Sequence, residues 1–433
     1  MVEGDLSGVL VRHAARHGVP GAAVGVVRDG AVSTAFYGIA DVRTGEPVTR
    51  ATRFRIGSLT KPMVASAIAY LAAAGRLALG DSLAARVPEL RGSAWARRVT
   101  VADLLANRSG LPLKEESEFG FTGRRDEGVA AVSRLAADVA ATLDVGEAGG
   151  DAVWSYTNVG WCLLGRVIEA VTDMSWPDAM GVCLSPVGLR DTSFGRAAPG
   201  VPRVTGHDVS GLGVTPVRPT ESRAYGPAGT TTLSTVDDLL AFAVTHLEDP
   251  SLAFLRVPQA FVRIHGWLDR WCLGWGWFDW GSGGAWGWDG LLEGERSFLR
   301  MLPDRRAAVV LLTNGSTGRA MFRTLIPEIV EQMFGVHVPP LRLTPSPGSA
   351  GDLSRFAGTY AWPDHQIDVT VAGDGLVLSD QHDDTPAVPV APEVFLTDPG
   401  DSDNPTITFG SHRPGGRPHV LYRMLWGYPR LRE

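Results

Sequence analysis

A serine and a lysine three residues apart are the first residues of this chain that could do chemistry together. Ser58 and Lys61 lie in the segment FRIGSLTKPM (54–63), where an extended pattern gives way to a helical one. If Ser58 is the N-cap of that helix, Lys61 lies one turn along on the same face. The helix N-terminus would stabilise negative charge on Ser58, and a buried Lys61 amine could accept its proton. The pair therefore predicts a serine nucleophile whose own N–H contributes to an oxyanion hole.

The lysine is informative because this chain hardly uses lysine. Of 40 basic residues, only Lys61 and Lys114 are lysines, and the others are arginines. An amine can lose its proton inside a protein, whereas a guanidinium stays charged. Arginine would serve a solvated helix face equally well, so a chemical role for Lys61 is favoured over the alternative of a capped helix with a surface charge.

A second polar group, Tyr156-Thr157-Asn158, directly precedes another predicted helix. A tyrosine hydroxyl beside a lysine ammonium can act as a base. The amide of Asn158 can bridge Lys61 and a substrate carbonyl. Taken alone, the same residues also fit a loop tyrosine followed by an N-cap asparagine.

A third group, Gly287-Trp288-Asp289-Gly290, lies just before a predicted strand. Glycines in a strand allow a substrate backbone to approach closely, and the N–H of Leu291 could supply the second oxyanion donor. Taken alone, the group also fits a turn with a packed tryptophan. The predicted catalytic residues are thus Ser58, Lys61 and Tyr156, and the predicted substrate-binding residues are Asn158, Trp288, Asp289, Gly290 and Leu291.

Periodicity predicts an α+β fold for residues 1–336: one antiparallel sheet assembled from both ends, flanked by helices, with an inserted helical lobe. Asp29-Gly30 is a strong hairpin signal between the first two strands. Strands are predicted at 22–28, 31–37, 297–302 and 307–313. Helices are predicted at 5–17, 62–74, 159–171, 239–246 and 319–334. Capping boxes are predicted at Thr100 with Asp103 and at Ser234 with Asp237.

The last part of the chain has a different pattern. Residues 337–349 are rich in proline and serine and predict a linker. Short alternating runs then follow, separated by turn residues, at 367–371, 376–378, 388–390, 406–409 and 420–424. This spacing predicts a small all-β module, a barrel, over residues 350–433.

Composition excludes several classes of function. The net charge is −7 and there is no basic block, which excludes a nucleic-acid partner. The sequence also contains no run of about 18 apolar residues, so no membrane partner is predicted. Three cysteines predict buried reduced thiols. The charged N-terminus does not resemble a signal peptide, so a cytoplasmic protein is predicted, although a leader removed earlier would leave no trace. No phosphate loop or metal spacing is found, so no cofactor is predicted.

The three groups, in this order and spacing, resemble the serine β-lactamase and penicillin-binding-protein superfamily, of which Ser-x-x-Lys is one signature. The resemblance extends to LLANRSGLP (104–112), YTNVGWCLLGRVIE (156–169), SPVGLRDT (185–192) and residues 226–243. It covers about residues 5–335 and favours the class C-like branch, while FAGTY (356–360) resembles the start of a lipocalin-like module. It implies a β-lactamase/transpeptidase-like fold in which Ser58 is acylated, Lys61 and Tyr156 move its protons, and Asn158 supports them.

Two positions depart from the family pattern. The third motif is Lys-Thr-Gly in β-lactamases and His-x-Gly in many relatives, whereas this chain has Trp288-Asp289-Gly290. The cation that would grip the carboxylate of a β-lactam or a peptide is missing. A tryptophan there resembles the esterase and acyltransferase members, including the lovastatin side-chain acyltransferase and the Trp-Gly-Gly esterases. Asn107 replaces the histidine of the family's LLxHxSGLP segment, and the sequence assigns no consequence to this change.

An unusually aromatic region precedes the third motif. Its members are Trp267, Trp271, Trp275, Trp277, Phe278, Trp280, Trp286 and Trp288. Core packing explains part of this set. Those near Gly287 are expected to line the mouth of the cleft, where they would exclude water and favour an amine or alcohol acceptor over hydrolysis.

The sequence therefore predicts an ATP-independent serine acyltransferase that moves an acyl group from an ester, thioester or activated amide, through acyl-Ser58, to an amine or alcohol. Its predicted partners are small-molecule donors and acceptors, and its oligomeric state is open. Specialised metabolism is implied by resemblance only, with a transacylase of the capuramycin-type nucleoside antibiotics as the narrowest candidate. An esterase, an amidase or a D-aminopeptidase-type hydrolase remains an alternative, as does a catalytically silent binding protein of the same fold.

Overall fold

The computed structural model describes residues 3–111, 128–141, 153–196, 198–219, 221–264, 268–281, 283–340, 343–362, 365–398, 405–412 and 416–431. Lys114 and Trp267, both singled out in the sequence, lie outside these ranges. Within them, no helix combines the length and the apolar character needed to cross a bilayer.

The centre of the first 336 residues is an antiparallel sheet. Among the described residues it has the strand order β2-β1-β12-β11-β10-β9-β8-β7. Its strands are β1 (Gly21–Arg28), β2 (Ala31–Gly38), β7 (Ala260–Ile264), β8 (Leu268–Trp271), β9 (Gly276–Phe278), β10 (Ala285–Leu292), β11 (Glu295–Leu302) and β12 (Ala307–Thr313). Two small sheets pair β3 (Phe54–Arg55) with β6 (Leu233–Ser234) and β4 (His207–Ser210) with β5 (Gly213–Pro216). Because β1 pairs with β12, the sheet is assembled from both ends of the region, as predicted.

The β1–β2 hairpin forms at the predicted turn. Asp29 has φ 48° and Gly30 has φ 81°. A two-residue turn that matches the right-handed strand twist needs positive φ at both positions, which glycine and aspartate accept more readily than other residues. The turn sets the register in which β1 presents its almost continuous apolar run to the core.

Helices cover the sheet and build the inserted lobe. They are α1 (Glu3–His17), α2 (Thr60–Ala73), α3 (Leu83–Arg86), α4 (Ala94–Arg98), α5 (Val101–Leu105), α6 (Ala130–Ala140), α7 (Asn158–Thr172), α8 (Trp176–Cys183), α9 (Val236–Glu248) and α10 (Gly318–Phe334). Helices α1 and α10 pack together, partly through a hydrogen bond of His13 to Thr324, while α9 contacts β1 and β12. Both central strands are therefore buried along nearly their whole length.

The C-terminal strands form a nearly closed barrel with its own apolar core. They are β13 (Gly358–Trp362), β14 (His365–Ala372), β15 (Gly375–Ser379), β16 (Asp384–Ala391), β17 (Val394–Leu396), β18 (Thr406–His412), β19 (Pro418–Arg423) and β20 (Trp426–Pro429). A hydrogen bond of 2.9 Å from the Leu431 N–H to the Thr359 carbonyl joins the last strand to the first.

The predicted α+β architecture and the all-β barrel are confirmed, with local differences. The capping box at Thr100 and Asp103 is present, but the predicted one at Ser234 is wrong by one residue, because Thr235 accepts the hydrogen bond from the Asp238 N–H. Strands β13, β17 and β20 escaped detection. They have three to five residues.

Candidate active site

Ser58 lies in a short 3₁₀ turn, Gly57–Leu59, that leads into α2. The prediction that Ser58 is the helix N-cap is therefore wrong. The residue sits inside the preceding turn and its side chain makes no capping bond. Lys61 follows one turn later, as the spacing required, and its Nζ donates a hydrogen bond of 2.9 Å to Ser58 Oγ.

Gly57 allows the nucleophile turn to approach β10. It has φ 53°, and a Cβ there would lie 3.0 Å from Leu291 N and 3.2 Å from Gly290 Cα. Any other residue would strain the turn and push it away from the strand. The amide nitrogen of Leu291 is thereby held next to the Ser58 turn, where it can donate to an oxyanion together with the Ser58 N–H.

A buried ion pair supports the turn from behind. The main-chain N–H and Nε of Arg55 donate to Glu295 at 2.8 and 2.6 Å, and Ser297 Oγ donates to the Ile56 carbonyl at 2.6 Å. Both side chains of the pair are almost completely buried, and burial raises the pKa of Glu295 despite the adjacent guanidinium. These bonds tie the residues just before Ser58 to the start of β11.

Lys61 is fully buried, and three oxygen atoms lie within hydrogen-bonding distance of its Nζ. Besides the contact to Ser58, Nζ donates to Asn158 Oδ1 at 2.8 Å and to the Ala228 carbonyl at 3.0 Å. The two carbonyl oxygens can only accept, whereas a serine hydroxyl can also donate. A neutral Lys61 would give its two N–H groups to the carbonyls and turn its lone pair to the Ser58 hydroxyl. This arrangement can remove the Ser58 proton.

Tyr156 lies just before α7, on the other side of Lys61. Its ring centroid is 4.8 Å from Lys61 Nζ, and its hydroxyl accepts a hydrogen bond of 3.2 Å from Trp288 Nε1. Asn158 is the first residue of α7, with Thr157 as the N-cap, so the alternative of an N-cap asparagine is wrong. The structure therefore brings together the predicted residues Ser58, Lys61, Tyr156, Asn158, Trp288 and Leu291.

The third motif forms the middle of β10, with its residues in different environments. Asp289 faces away from the nucleophile and forms an ion pair of 2.6 Å with Arg300. A Cβ on Gly290 would collide with the Ile56 carbonyl and Ser297 Oγ. Gly290 is thus required because the protein's own backbone at Ile56 lies against it. The sequence had led us to expect a substrate backbone in that position. The Asp289 carboxylate also lies 4.0 Å from Arg319, and a role for Asp289 in substrate binding stays a prediction.

The aromatic region packs mainly into the core. Trp271 lies 4.8 Å from Trp288 and 5.9 Å from Tyr156, between ring centroids, and is fully buried. Four further members are buried in the same core: Trp275, Phe278, Trp280 and Trp288. Trp277 and Trp286 are partly buried, and for them a place at the cleft mouth stays a prediction. The site tyrosine is thus set in an aromatic cluster.

Asn107 acquires a role that the sequence did not indicate. It has φ 54°, a left-handed conformation that asparagine tolerates well. Its carbonyl accepts the Ser155 N–H at 3.0 Å, and its Oδ1 accepts the Trp161 indole N–H at 3.1 Å. Asn107 therefore holds the segment that leads into Tyr156. The sequence also gave no sign of three other contacts: the Ala228 carbonyl with Lys61, Arg300 with Asp289, and the Leu425 carbonyl with the Tyr156 N–H.

The cysteines and metal-ligating residues lie outside this arrangement. Cys162, Cys183 and Cys272 are free and buried, as predicted, and burial raises the pKa of Cys272 to about 12. Among the residues that the structure describes, His, Cys, Asp and Glu side chains form no group of three that could hold a metal ion.

Comparison with known proteins relates the chain to one family. The family model described as "Beta-lactamase" matches residues 6–333. Penicillin-binding protein 4 of Amycolatopsis lactamdurans is 32% identical over 367 residues, which are 79% of this chain and 93% of the relative.

Three similar solved structures cover 99% of this chain, and a fourth covers 75% of it. SurE is 27% identical with a TM-score of 0.78, covering 99% of both chains, and SurE with D-Leu gives 0.76. The octameric penicillin-binding protein homologue from Pyrococcus abyssi, at 20% identity and TM-score 0.67, covers 99% of this chain and 100% of its own. The class C β-lactamase from Rhodobacter sphaeroides, at 22% and 0.61, covers 75% and 99%. The last two likenesses concern the fold alone.

Proposed function

Because the chain belongs to the β-lactamase family of serine hydrolases and acyltransferases, we propose that it is a serine acyltransferase working through an acyl-Ser58 intermediate. In this proposal Ser58 is the nucleophile, Lys61 and Tyr156 transfer its protons, and Asn158 orients Lys61. The observation that carries it is the environment of Lys61 Nζ, which lies 2.9 Å from Ser58 Oγ and also donates to the carbonyl oxygens of Asn158 and Ala228.

The first half-reaction acylates Ser58. As Oγ attacks the carbonyl carbon of the donor, its proton passes to Lys61 Nζ, and the developing oxyanion is stabilised by the N–H groups of Ser58 and Leu291. Collapse of the tetrahedral intermediate breaks the bond to the leaving group, which takes up a proton from the Lys61–Tyr156 pair. In the second half-reaction an amine or alcohol attacks the acyl carbon and gives its proton to the same pair. The bond between Ser58 Oγ and the acyl carbon then breaks, and Oγ takes up this proton to restore the hydroxyl.

The residue in the third motif supports a donor without a carboxylate next to the scissile bond. Trp288 places a neutral, buried indole where the β-lactamases have a lysine. An indole donates one hydrogen bond and carries no charge, so it gives a carboxylate no ion pair. Esters, thioesters and activated amides are therefore the donors proposed. Since a structure of SurE contains D-Leu, a D-leucyl ester is the first specific donor to test.

Intact-protein mass spectrometry tests the proposal directly. The protein is mixed with p-nitrophenyl acetate or with a D-leucine ester, and wild type is compared with Ser58→Ala. We expect a single acyl adduct on wild type alone. A Ser58→Ala protein that acquires the adduct and turns over the ester at the wild-type rate would contradict the assignment.

Addition of an acceptor then separates transfer from hydrolysis. The acylated protein is divided between buffer and buffer with an amine acceptor, such as an amino-acid amide. Transfer predicts a long-lived adduct in buffer that is consumed with formation of the amide product. An adduct lost equally fast in both, with only free acid formed, would favour the hydrolase alternative. A nucleoside-antibiotic transacylase role stays a prediction.

A further inference from the structure

The turn of the β19–β20 hairpin makes a main-chain hydrogen bond to the proposed catalytic tyrosine. Arg423 pairs with Trp426, so Met424 and Leu425 form the turn, and Met424 has φ 55°. The Leu425 carbonyl accepts the Tyr156 N–H at 2.9 Å. The barrel thus reaches a residue of the active site through its backbone.

Side-chain packing fixes the hairpin against the same segment. The Tyr422 ring lies edge-on to Trp154 with centroids 6.1 Å apart, and both are buried in the main apolar core. Gly427 lies so close to this segment that a Cβ there would collide with the Trp154 carbonyl and come within 2.6 Å of Val153 Cγ1. The hairpin and the residues before Tyr156 are therefore in direct backbone contact.

The segment from Val153 to Thr157 forms neither a helix nor a strand. Two of its N–H groups donate to carbonyls in different parts of the chain. The Ser155 N–H donates to Asn107 of the helical lobe, and the Tyr156 N–H donates to Leu425 of the barrel. A buried N–H left without a partner is costly, so both bonds restrict the position of this segment. Loss of the second bond would remove the main-chain link between Tyr156 and the barrel.

We infer that the β19–β20 hairpin is a positioning element for Tyr156, so that docking of the barrel sets the rate of proton transfer at Ser58. The inference rests on the proposed function, because Tyr156 must act in proton transfer for its position to affect the rate. A displacement of about 1 Å in a reacting group can reduce a rate on the order of 100-fold. The Tyr156 side chain lies between Lys61 and Trp288, so a small shift of its backbone would change both contacts.

Gly427→Ala tests the inference because it adds one methyl group between the hairpin and Trp154. Gly375→Ala is the matched control. Gly375 is also a buried barrel glycine without positive φ, and its added Cβ would lie 2.6 Å from the Ala387 carbonyl, inside the barrel and away from Tyr156. Both variants strain the barrel, but only Gly427→Ala strains its contact with the active site.

Three quantities are measured. They are the single-turnover rate of acylation by p-nitrophenyl acetate as a function of pH, the KM for this ester, and the rate of hydrogen exchange of the Tyr156 amide. We expect Gly427→Ala to slow acylation about 10-fold to 100-fold, to change the pH profile, to leave KM nearly unchanged and to speed exchange of the Tyr156 amide. Gly375→Ala should keep the wild-type rate and profile. If Gly427→Ala fails to fold, Tyr422→Leu should show the same effects and Tyr422→Phe should largely retain wild-type behaviour.

The outcomes separate the two proposals. Suppose that wild type is acylated and that folded Gly427→Ala or Tyr422→Leu has the same acylation rate and pH profile. This result would overturn the inference and leave the proposed function standing. Equal losses in Gly427→Ala and Gly375→Ala would also overturn it, since barrel strain alone would then explain the effect. A wild-type protein that is never acylated would refute the proposed function, and the inference with it.

Discussion

The indole nitrogen of Trp288 lies 3.2 Å from the hydroxyl oxygen of Tyr156, at the centre of the site. Since an indole N–H can only donate, one lone pair of the tyrosine oxygen accepts this bond, which leaves its proton and its second lone pair for other partners. Trp288 is thus hydrogen-bonded to a member of the proposed proton-transfer pair, and we expect its replacement to change the rate of acylation.

Trp288→Phe should slow acylation about 10-fold, because the ring still packs against Tyr156 and Trp271 while the hydrogen bond, worth about 1 to 1.5 kcal/mol, is lost. Trp288→His keeps a ring N–H and should lose less. Single-turnover acylation by one activated ester measures both variants. Identical rates for Trp288→Phe and wild type would show that the hydrogen bond does not assist acylation.

Lys61→Arg should reduce acylation on the order of 10³-fold, although it keeps the positive charge. The amine is fully buried with three oxygen atoms within 3.0 Å, and a guanidinium is larger and cannot act as a base. Lys61→Met serves as a control that removes both charge and base. If Lys61→Arg were as active as wild type, Lys61 would act only by its charge.

Asn158→Asp should move the rising limb of the pH–rate profile to higher pH. Its Oδ1 lies 2.8 Å from Lys61 Nζ, so a carboxylate there would favour the ammonium form, which cannot accept the Ser58 proton. Higher pH would then be needed to form the neutral amine. The profile of kcat/KM for an activated ester checks this, with Asn158→Leu as a variant that adds no charge. A limb unchanged in Asn158→Asp would exclude Lys61 as the group that titrates.

Local signals made much of the fold and the contact between Ser58 and Lys61 predictable. The Asp29-Gly30 turn, the Thr100–Asp103 capping box and the three-residue spacing of Ser58 and Lys61 each depend on a few neighbouring residues. The spacing places both side chains on one helical turn whether or not Ser58 is the N-cap. This is why an incorrect cap assignment did not affect the prediction of their contact.

The contacts that complete the site could not be predicted, because they join segments far apart in the chain. Trp288 and Tyr156 are separated by 132 residues, and Lys61 and the Ala228 carbonyl by 167. No periodicity records such a contact. The Leu425 carbonyl carries no side-chain signal at all, since any residue type offers the same oxygen.

Stability should fall in acid because of His246, which is fully buried beside α2. The Ser66 hydroxyl donates to the Pro62 carbonyl at 2.9 Å, so His246 Nε2–H donates to Ser66 Oγ at 2.8 Å. Its Nδ1 is then the unprotonated nitrogen, and it has no partner among the described residues. Burial lowers the pKa of His246 to about 3.

The folded and unfolded states bind the His246 proton at different pH, and this difference decides how the free energy of unfolding changes with pH. The unfolded chain binds this proton near pH 6.5 and the folded protein does so only near 3, so the free energy of unfolding decreases as pH falls between these values. The slope is at most about 1.4 kcal/mol per pH unit. Urea unfolding at pH 7 and pH 5 should show a smaller loss for His246→Gln than for wild type. Equal losses would assign the acid sensitivity to other groups.

The ion pair between Arg300 and Asp289 should hold Trp288 in place from behind β10. Arg300 is 2% exposed, donates to Asp289 Oδ1 at 2.6 Å and to the Trp288 carbonyl at 3.3 Å, and lies over the Phe278 ring at 3.9 Å. Arg300→Met keeps an apolar stem but leaves Asp289 without its nearest cation. Breaking a buried ion pair costs about 3 to 5 kcal/mol. We expect the lower end of that range here, because Arg319 lies 4.0 Å from the same carboxylate.

The double variant Asp289→Asn/Arg300→Met distinguishes positioning from stability. Removing both charges should recover part of the lost unfolding free energy in urea, because no carboxylate remains unpaired. The bond to the Trp288 carbonyl is not restored, so acylation should stay several-fold below wild type and close to that of Arg300→Met. If acylation recovered together with stability, Arg300 would support the fold only, and Trp288 would keep its position against Tyr156 without it.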